Sequence, residues 1–177
     1  MKKPNIILLL IDSLRADKFS GPKKSSITPN LDKMFKNGTY FDQAISSSDA
    51  TLMVWASMIT AKHAIKTGLK SDRYNKLDDS IVNYLEIFQK GGYHIYSHLP
   101  YLATTIGLFP EFENKDWVKF SGKDSSGKDL SDGLGNQIIN FLDSNSMKNP
   151  WFYYAHINDL HYPIDVPTKF LDKKYGL

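Results

Sequence analysis

Hydrophobic residues along the chain are grouped in short runs that predict β-strands separated by helices. The aliphatic run from Asn5 to Ile11 ends at Asp12 and is typical of a strand buried on both faces of a parallel sheet. The run from Trp151 to Ile157 has the same character and is followed by a polar loop. Two further runs, Tyr40 to Ile45 and Tyr93 to Ser97, predict shorter strands.

Segments between these runs have the spacing of apolar residues that amphipathic helices show. One helix is predicted to begin with Thr28 as its N-cap and Pro29 in the first helical position, and to end at Gly38. A second helix is predicted from Thr51 to Thr60. Its buried face would consist of Leu52, Trp55, Ala56 and Ile59.

Two more helices are predicted after residue 79. Ser80 would cap one that ends at Gly91-Gly92, and Ser131 would begin another, before the break at Asn149-Pro150. Residues 110–130 are expected to be mostly loop. The inward-facing side chains would be Ile81, Leu85 and Phe88 in the first of these helices and Ile138, Ile139, Phe141 and Leu142 in the second. This order of elements predicts an α/β fold in a single domain, 1–177, with a mainly parallel sheet flanked by helices.

The composition is that of a globular protein with few extreme features. Hydrophobic residues make up 41% of the 177 positions, which is enough for a core, and the net charge of +3 favours no class of partner. We expect no nucleic acid partner, since basic and aromatic residues do not cluster. The absence of cysteine excludes disulfides and thiolate sites. The first apolar run is too short for a signal peptide or a membrane span, so we expect a cytoplasmic protein.

Polar residues that could carry chemistry follow the predicted strands. Asp12 ends the first strand, Thr51 begins a helix, and Asp159 and His161 follow the last strand. Ligands of open parallel sheets bind beyond the carboxyl ends of the strands, where these groups would suit a hard metal ion and a tetrahedral oxyanion. Each also has a structural interpretation: Asp12 as a turn cap, Thr51 as a helix N-cap and His161 as a loop histidine. His156 lies within the last strand and is expected to be packed or to support its neighbours.

Five segments carry motifs in a recognisable order. Residues 3–17 combine a strand with an acidic turn, and residues 28–41 contain Thr-Pro-Asn-Leu-Asp followed by Gly-x-x-Phe. Residues 51–61 lie over the pattern C/S/T-x-P-S-x-A-S-x-x-T-G, and Gly-Tyr stands at 92–93. Residues 150–164 are similar to P-F-F-x-x-x-H-x-x-D-P-H-x-P-Y. Together these segments resemble the N-terminal portion of the sulfatase family, within the alkaline-phosphatase-like superfamily.

The resemblance implies a metal-dependent hydrolase of sulfate or phosphate esters, with a small-molecule or saccharide ester as substrate. It implies that Asp12 and Thr51 ligate a divalent metal ion, calcium or else manganese or zinc. Thr51 would also be the nucleophile, at a helix N-terminus that favours an anion. His161 would contact the sulfate or phosphate group or protonate the leaving oxygen. The residues expected to hold these groups in place are Ser13, Arg15, His156 and Asp159.

The chain departs from the family pattern at the nucleophile. Thr51 cannot be converted to the formylglycine of cysteine or serine sulfatases, and Met53, Val54 and Trp55 replace the usual Pro, Ser and Arg. Ser13 replaces a second aspartate. Threonine at this position is familiar from phosphoethanolamine transferases and lipoteichoic acid synthases. A threonine-nucleophile phosphotransferase or phosphodiesterase of the same superfamily is therefore the alternative.

The remaining metal ligands of the family lie in a later D-H/N-G-E motif, which is not found before Leu177. We therefore expect a domain that stops before its metal site closes and that is inactive by itself, to be completed by a missing C-terminal segment or subunit. A catalytically degenerate member that acts as a binding or scaffold protein is the other alternative.

Overall fold

The computed structural model describes residues 2–69, 77–78, 80–100, 112–114, 130 and 133–162 of the chain. The chain divides into two compact units, one of Ser13–Ser46 and the other of Met1–Asp12 with Ser47–Leu177. The described elements, in chain order, are β1 (Ile6–Ile11), α1 (Ala16–Phe19), α2 (Pro29–Asn37), α3 (Thr51–Thr60), a 3₁₀ turn (Ala64–Lys66), α4 (Tyr84–Lys90), β2 (His94–His98), α5 (Leu134–Asp143) and β3 (Trp151–Ile157).

The three described strands form a parallel sheet in the order β1-β3-β2. This arrangement confirms the predicted α/β fold with a parallel sheet flanked by helices. The side chain of Asn5 ties the starts of two strands together, since it donates to Asn149 Oδ1 at 2.8 Å and accepts from the Trp151 N–H at 3.1 Å. Beside β2, the Asn114 side chain accepts from the Ser97 N–H at 3.0 Å and donates to the Ser97 carbonyl at 2.6 Å. This amide therefore satisfies backbone groups along β2.

The two faces of β3 pack into different clusters, because side chains along a strand alternate between the faces of a sheet. Phe152 and Tyr154 lie in the larger cluster, with the buried face of α3 and with Leu85 of α4. Tyr153 and Ala155 lie in the smaller one. Partly buried residues of α5 pack against that smaller cluster, namely Ile138, Phe141 and Leu142.

The prediction that β1 is buried on both faces is wrong, whereas β3 is buried as predicted. Ile7 and Leu9 are 55% and 51% exposed. Ile7 and Leu9 project from the same face of the sheet, and no residue of β1 belongs to the smaller cluster under α5 on that face. Within the described residues, no helix is long and apolar enough to cross a membrane.

One predicted helix start differs from the structure, while α3 has the predicted bounds. Helix α4 begins after Asn83, whose side chain accepts from the Glu86 N–H at 3.0 Å. Ser80 is not the cap, since its hydroxyl and N–H both donate to Asp78 Oδ1, at 2.7 and 2.9 Å. Helix α5 follows Gly133, and the predicted start at Ser131 lies outside the described residues, as does most of the predicted loop at 110–130.

Other local predictions fail where tertiary contacts are missing. Residues 40–45 form no strand; Phe41 and Ile45 are 75% and 92% exposed, and no described strand pairs with them. Ile139 points outward at 56% exposure because it lies about 100° around the helix from Ile138, off the face that Ile138 shares with Phe141.

The unit of residues 13–46 contains α1 and α2. Helix α2 begins at Pro29 after Thr28, as predicted, and ends before Gly38. The Thr28 hydroxyl donates to Asp32 Oδ1 at 3.1 Å. Phe35 of α2 contacts Phe19 at 5.6 Å between ring centroids, and this contact links α2 to α1.

Candidate active site

The carboxyl ends of β1 and β3 lie side by side, because the two strands are parallel neighbours. Ile11 pairs with Ile157, and the Asp12 N–H donates to the Ile157 carbonyl at 2.8 Å, one residue beyond β1. This register fixes the backbone of Asp12 beside the end of β3. The predicted acid therefore lies at the strand end where parallel sheets bind ligands.

A hydrogen-bonded group centred on Asp12 joins three distant segments of the chain. Thr51, the first residue of α3, donates its hydroxyl to Asp12 Oδ2 at 3.1 Å. His156 Nε2 lies 3.2 Å from the same oxygen. An ionised carboxylate can only accept, so the imidazole donates through Nε2–H. Two donors from different elements thus converge on one carboxylate oxygen.

This environment lowers the pKa of Asp12 from 3.8 to about 2. The largest cause is the hydrogen bond from His156, which outweighs the opposing effect of burial; the electrostatic interactions with His156 and His161 and the Thr51 hydroxyl lower the pKa further. The carboxyl group is therefore an anion at neutral pH. A carboxylate with so low a pKa is a poor general base, but it stays ionised and can bind a cation.

His156 is held in the core from the side of α3. Its side chain is fully buried, and its ring meets the Trp55 ring edge-on at 4.8 Å between centroids. Trp55 lies one helical turn after Thr51, so both residues project from the same side of α3. Sequence reasoning missed this contact with His156, although the i, i+4 spacing of Thr51 and Trp55 was a signal for it.

His161 lies on the exposed turn after β3. Its N–H donates to the Asn158 carbonyl at 2.8 Å, and its ring Nδ1 donates to the Tyr162 carbonyl at 2.7 Å. In a neutral imidazole with Nδ1 protonated, Nε2 is an acceptor. The hydrogen bond from Nδ1 to the Tyr162 carbonyl fixes the ring, and it thereby also fixes the direction in which Nε2 points.

The remaining predicted site residues have other partners in the structure. Asp159 accepts from the Leu130 N–H at 2.8 Å through Oδ1. Arg15 forms two hydrogen bonds with Asp17, at 3.0 and 2.9 Å, and these bonds raise the pKa of the Arg15 guanidinium. Ser13 follows Asp12 with a positive φ of 58°, which is uncommon for a residue with a side chain. Ser13 and Arg15 belong to the compact unit of residues 13–46.

The sulfatase family model matches residues 4–176, nearly the full length of the sequence. This chain belongs to the sulfatase family. The prediction made from the order of the motifs is therefore confirmed. No curated protein matches the chain.

Two solved structures share the fold of this sulfatase-family chain. One is a protein from Bacteroides thetaiotaomicron VPI-5482 assigned as a sulfatase, with a TM-score of 0.73 and 18% identity over 90% of this chain. The other is BT4656 in complex with its substrate D-glucosamine-2-N,6-O-disulfate, with a TM-score of 0.70 and 21% identity over 91% of this chain. The matches cover 36% and 35% of those two proteins, so the chain spans about a third of their length.

The sulfatase family implies a divalent metal ion. The described residues offer oxygen ligands that suit such an ion, but only a few of them. The ionised carboxylate of Asp12 and the hydroxyl of Thr51 are hard oxygen ligands, which suit calcium. Calcium takes about six to eight oxygens, and the described residues contain no group of three or more His, Asp or Glu that could hold a metal. Asp12 and Thr51 could therefore supply part of the coordination shell of a calcium ion.

Proposed function

We propose that this sulfatase-family domain supplies the nucleophile and one metal ligand of a site that hydrolyses sulfate or phosphate esters. The observation that carries the proposal is the hydrogen bond from Thr51 Oγ1 to Asp12 Oδ2, which joins the start of α3 to the end of β1. A hydroxyl at the N-terminus of a ten-residue helix faces the partial positive charge that stabilises a bound oxyanion.

In the proposed reaction, Thr51 Oγ1 forms a bond to the sulfur or phosphorus atom and the bond to the leaving ester oxygen breaks. His161, as an imidazolium with Nδ1 held by the Tyr162 carbonyl, donates its Nε2 proton to that oxygen. Asp12 orients the Thr51 hydroxyl but does not take up the hydroxyl proton, because the low pKa of this carboxyl makes it a weak base. The proton passes to water. In the second step the oxygen of water forms a bond to the sulfur or phosphorus atom and gives a proton to His161 Nε2. The bond to Thr51 Oγ1 breaks, Oγ1 regains a proton from water, and sulfate or phosphate leaves.

Asp12 and Thr51 would hold the divalent metal ion, with calcium favoured and manganese or zinc as alternatives. When bound, such an ion lowers the pKa of a coordinated hydroxyl and offsets the charge of the oxyanion. The substrate class we propose is a sulfated or phosphorylated saccharide or small molecule. The likeness to BT4656, whose substrate is a disulfated glucosamine, supports the saccharide.

Threonine at position 51 favours a second candidate, a phosphotransferase or phosphodiesterase that uses the same residues. A threonine hydroxyl is a nucleophile that needs activation but no prior modification. The two candidates differ in the ester they cleave, so paired substrates distinguish them.

The test measures hydrolysis of p-nitrophenyl sulfate and of bis(p-nitrophenyl) phosphate by the natural polypeptide that contains these residues, with calcium, manganese or zinc. Thr51→Ala should lower turnover by roughly a millionfold, the scale on which removal of a catalytic nucleophile acts, and Thr51→Ser should retain part of it. Thr39→Ala, a change at an exposed threonine, is the matched control. Unchanged turnover in Thr51→Ala would remove Thr51 as the nucleophile. No turnover of either ester by the unmodified protein would favour a binding or scaffold role.

A further inference from the structure

We infer that His156 is a positioning residue: its Nε2–H holds Asp12 Oδ2 in the orientation that meets Thr51, and divalent cation binding at Asp12 depends on this bond. The inference rests on the proposed function, because it concerns the same carboxylate. It adds a residue that does not itself touch the cation or the substrate.

The sheet register brings His156 to Asp12 from the core side. His156 pairs with Leu10 across β1 and β3, and the following pair, Ile11 with Ile157, precedes Asp12. Along β3, His156 lies on the same face as Tyr154, the face that packs against α3. Its ring therefore reaches the carboxylate from beneath the strand end, while Thr51 approaches from the helix.

The two donors restrict the carboxylate more than either could alone. Thr51 Oγ1 and His156 Nε2 lie 3.1 and 3.2 Å from the same oxygen, Oδ2. The hydroxyl can rotate about its C–O bond, but the imidazole cannot, because its ring packs edge-on against Trp55, a residue with no exposed surface. His156 is consequently the rigid member of the pair.

A purely structural role explains this histidine poorly. The side chain has no exposed surface, and its buried Nδ1 has no hydrogen-bond partner among the described residues. Leaving a buried polar atom unsatisfied costs stability, and an apolar ring would fill the same space against Trp55 without that cost. What an apolar ring could not supply is the donor to Asp12. Hydrogen bonds to ligating carboxylates are a recognised means of orienting them.

The experiment compares two substitutions that separate packing from hydrogen bonding. His156→Phe keeps a ring against Trp55 and removes the donor, whereas His156→Gln keeps an amide N–H at a similar reach from the backbone. His63→Phe, at an exposed histidine outside the site, is the matched control. Calcium binding to each protein is measured by isothermal titration calorimetry, and manganese and zinc are tested in the same way.

We expect His156→Phe to weaken calcium binding by about 10- to 100-fold, the usual cost of losing a partner of a metal ligand. His156→Gln should restore most of the affinity, and His63→Phe should leave it unchanged. Equal affinity in His156→Phe and the unmodified protein would overturn the inference, as would a His156→Gln variant as weak as His156→Phe.

A second measurement needs neither a variant nor a metal ion. Nitrogen-15 NMR of the unmodified chain should show His156 with its proton on Nε2 at neutral pH, the tautomer that the bond to Asp12 requires. A ring protonated on Nδ1 alone would overturn the inference even if His156→Phe failed to fold. If the unmodified protein bound no cation, the metal part of the proposed function would fail, while the tautomer would still decide the role of His156.

Discussion

Replacing His98 with asparagine removes a titrating ring from the core and keeps a hydrogen-bond acceptor in its place. His98 ends β2, is 3% exposed and lies between the rings of Phe141 and Tyr153, with centroids at 5.4 and 5.5 Å. Its Nδ1 accepts from the Tyr153 hydroxyl at 2.6 Å. Burial lowers the pKa of His98 from 6.5 to about 4, because the charged ring would lose its hydration.

The sign of the effect follows from proton binding. Below pH 6.5 the unfolded chain protonates His98 while the folded chain does not, so the free energy of unfolding falls as the pH drops toward the folded pKa of about 4. Between pH 7.5 and 4.5 this one residue should remove about 2.5 kcal/mol of stability. His98→Asn should lack that part of the pH dependence, since asparagine does not titrate.

The assay is urea denaturation at both pH values, followed by tryptophan fluorescence, for the unmodified chain, for His98→Asn and for the exposed-histidine control His63→Asn. The loss of unfolding free energy from pH 7.5 to 4.5 should be smaller in His98→Asn than in the other two by about 2.5 kcal/mol. An identical loss in all three proteins would refute the claim that His98 is buried in its neutral form.

Two asparagines test the local contacts that order the fold. Asn83→Ala removes the N-cap of α4 and should lower the free energy of unfolding by about 1 kcal/mol, measured by urea denaturation, with Asn83→Ser retaining most of the stability. Asn114→Ala leaves the Ser97 N–H and carbonyl without their side-chain partner and should cost about 2 kcal/mol. Faster hydrogen exchange at the Ser97 amide is the residue-level measurement, and an unchanged rate would contradict the assigned contact.

The strand and helix with the clearest local signals have the predicted bounds. Trp151–Ile157 is an apolar run between the Asn149-Pro150 break and a polar loop, and α3 has apolar residues at helical spacing; both segments match residue for residue. The predictions that failed depended on distant partners. Residues 40–45 are apolar enough for a strand but have no described strand beside them, and Ser80 is drawn into bonds with Asp78.

The residues of the candidate site are a sequence prediction, and the hydrogen bonds among them come from the structure. Asp12 and Thr51 were singled out because they follow a strand and begin a helix, and their hydrogen bond agrees with a shared site. His156 was expected to be packed or supporting, and the structure adds its specific partner, Asp12 Oδ2. The contact between Trp55 and the His156 ring comes from the structure, although the i, i+4 spacing of Thr51 and Trp55 was a signal for it.

The sequence by itself determined the alternation of strands and helices, the sulfatase-family motifs and the identity of the polar residues at the strand ends, because these depend on local spacing. Only the tertiary structure decided which of those residues meet. Asp12 and His156 are 144 positions apart, and their hydrogen bond depends on the parallel register that pairs Leu10 with His156. A shift of one residue in that register would turn the imidazole to the opposite face of the sheet, away from α3 and Thr51.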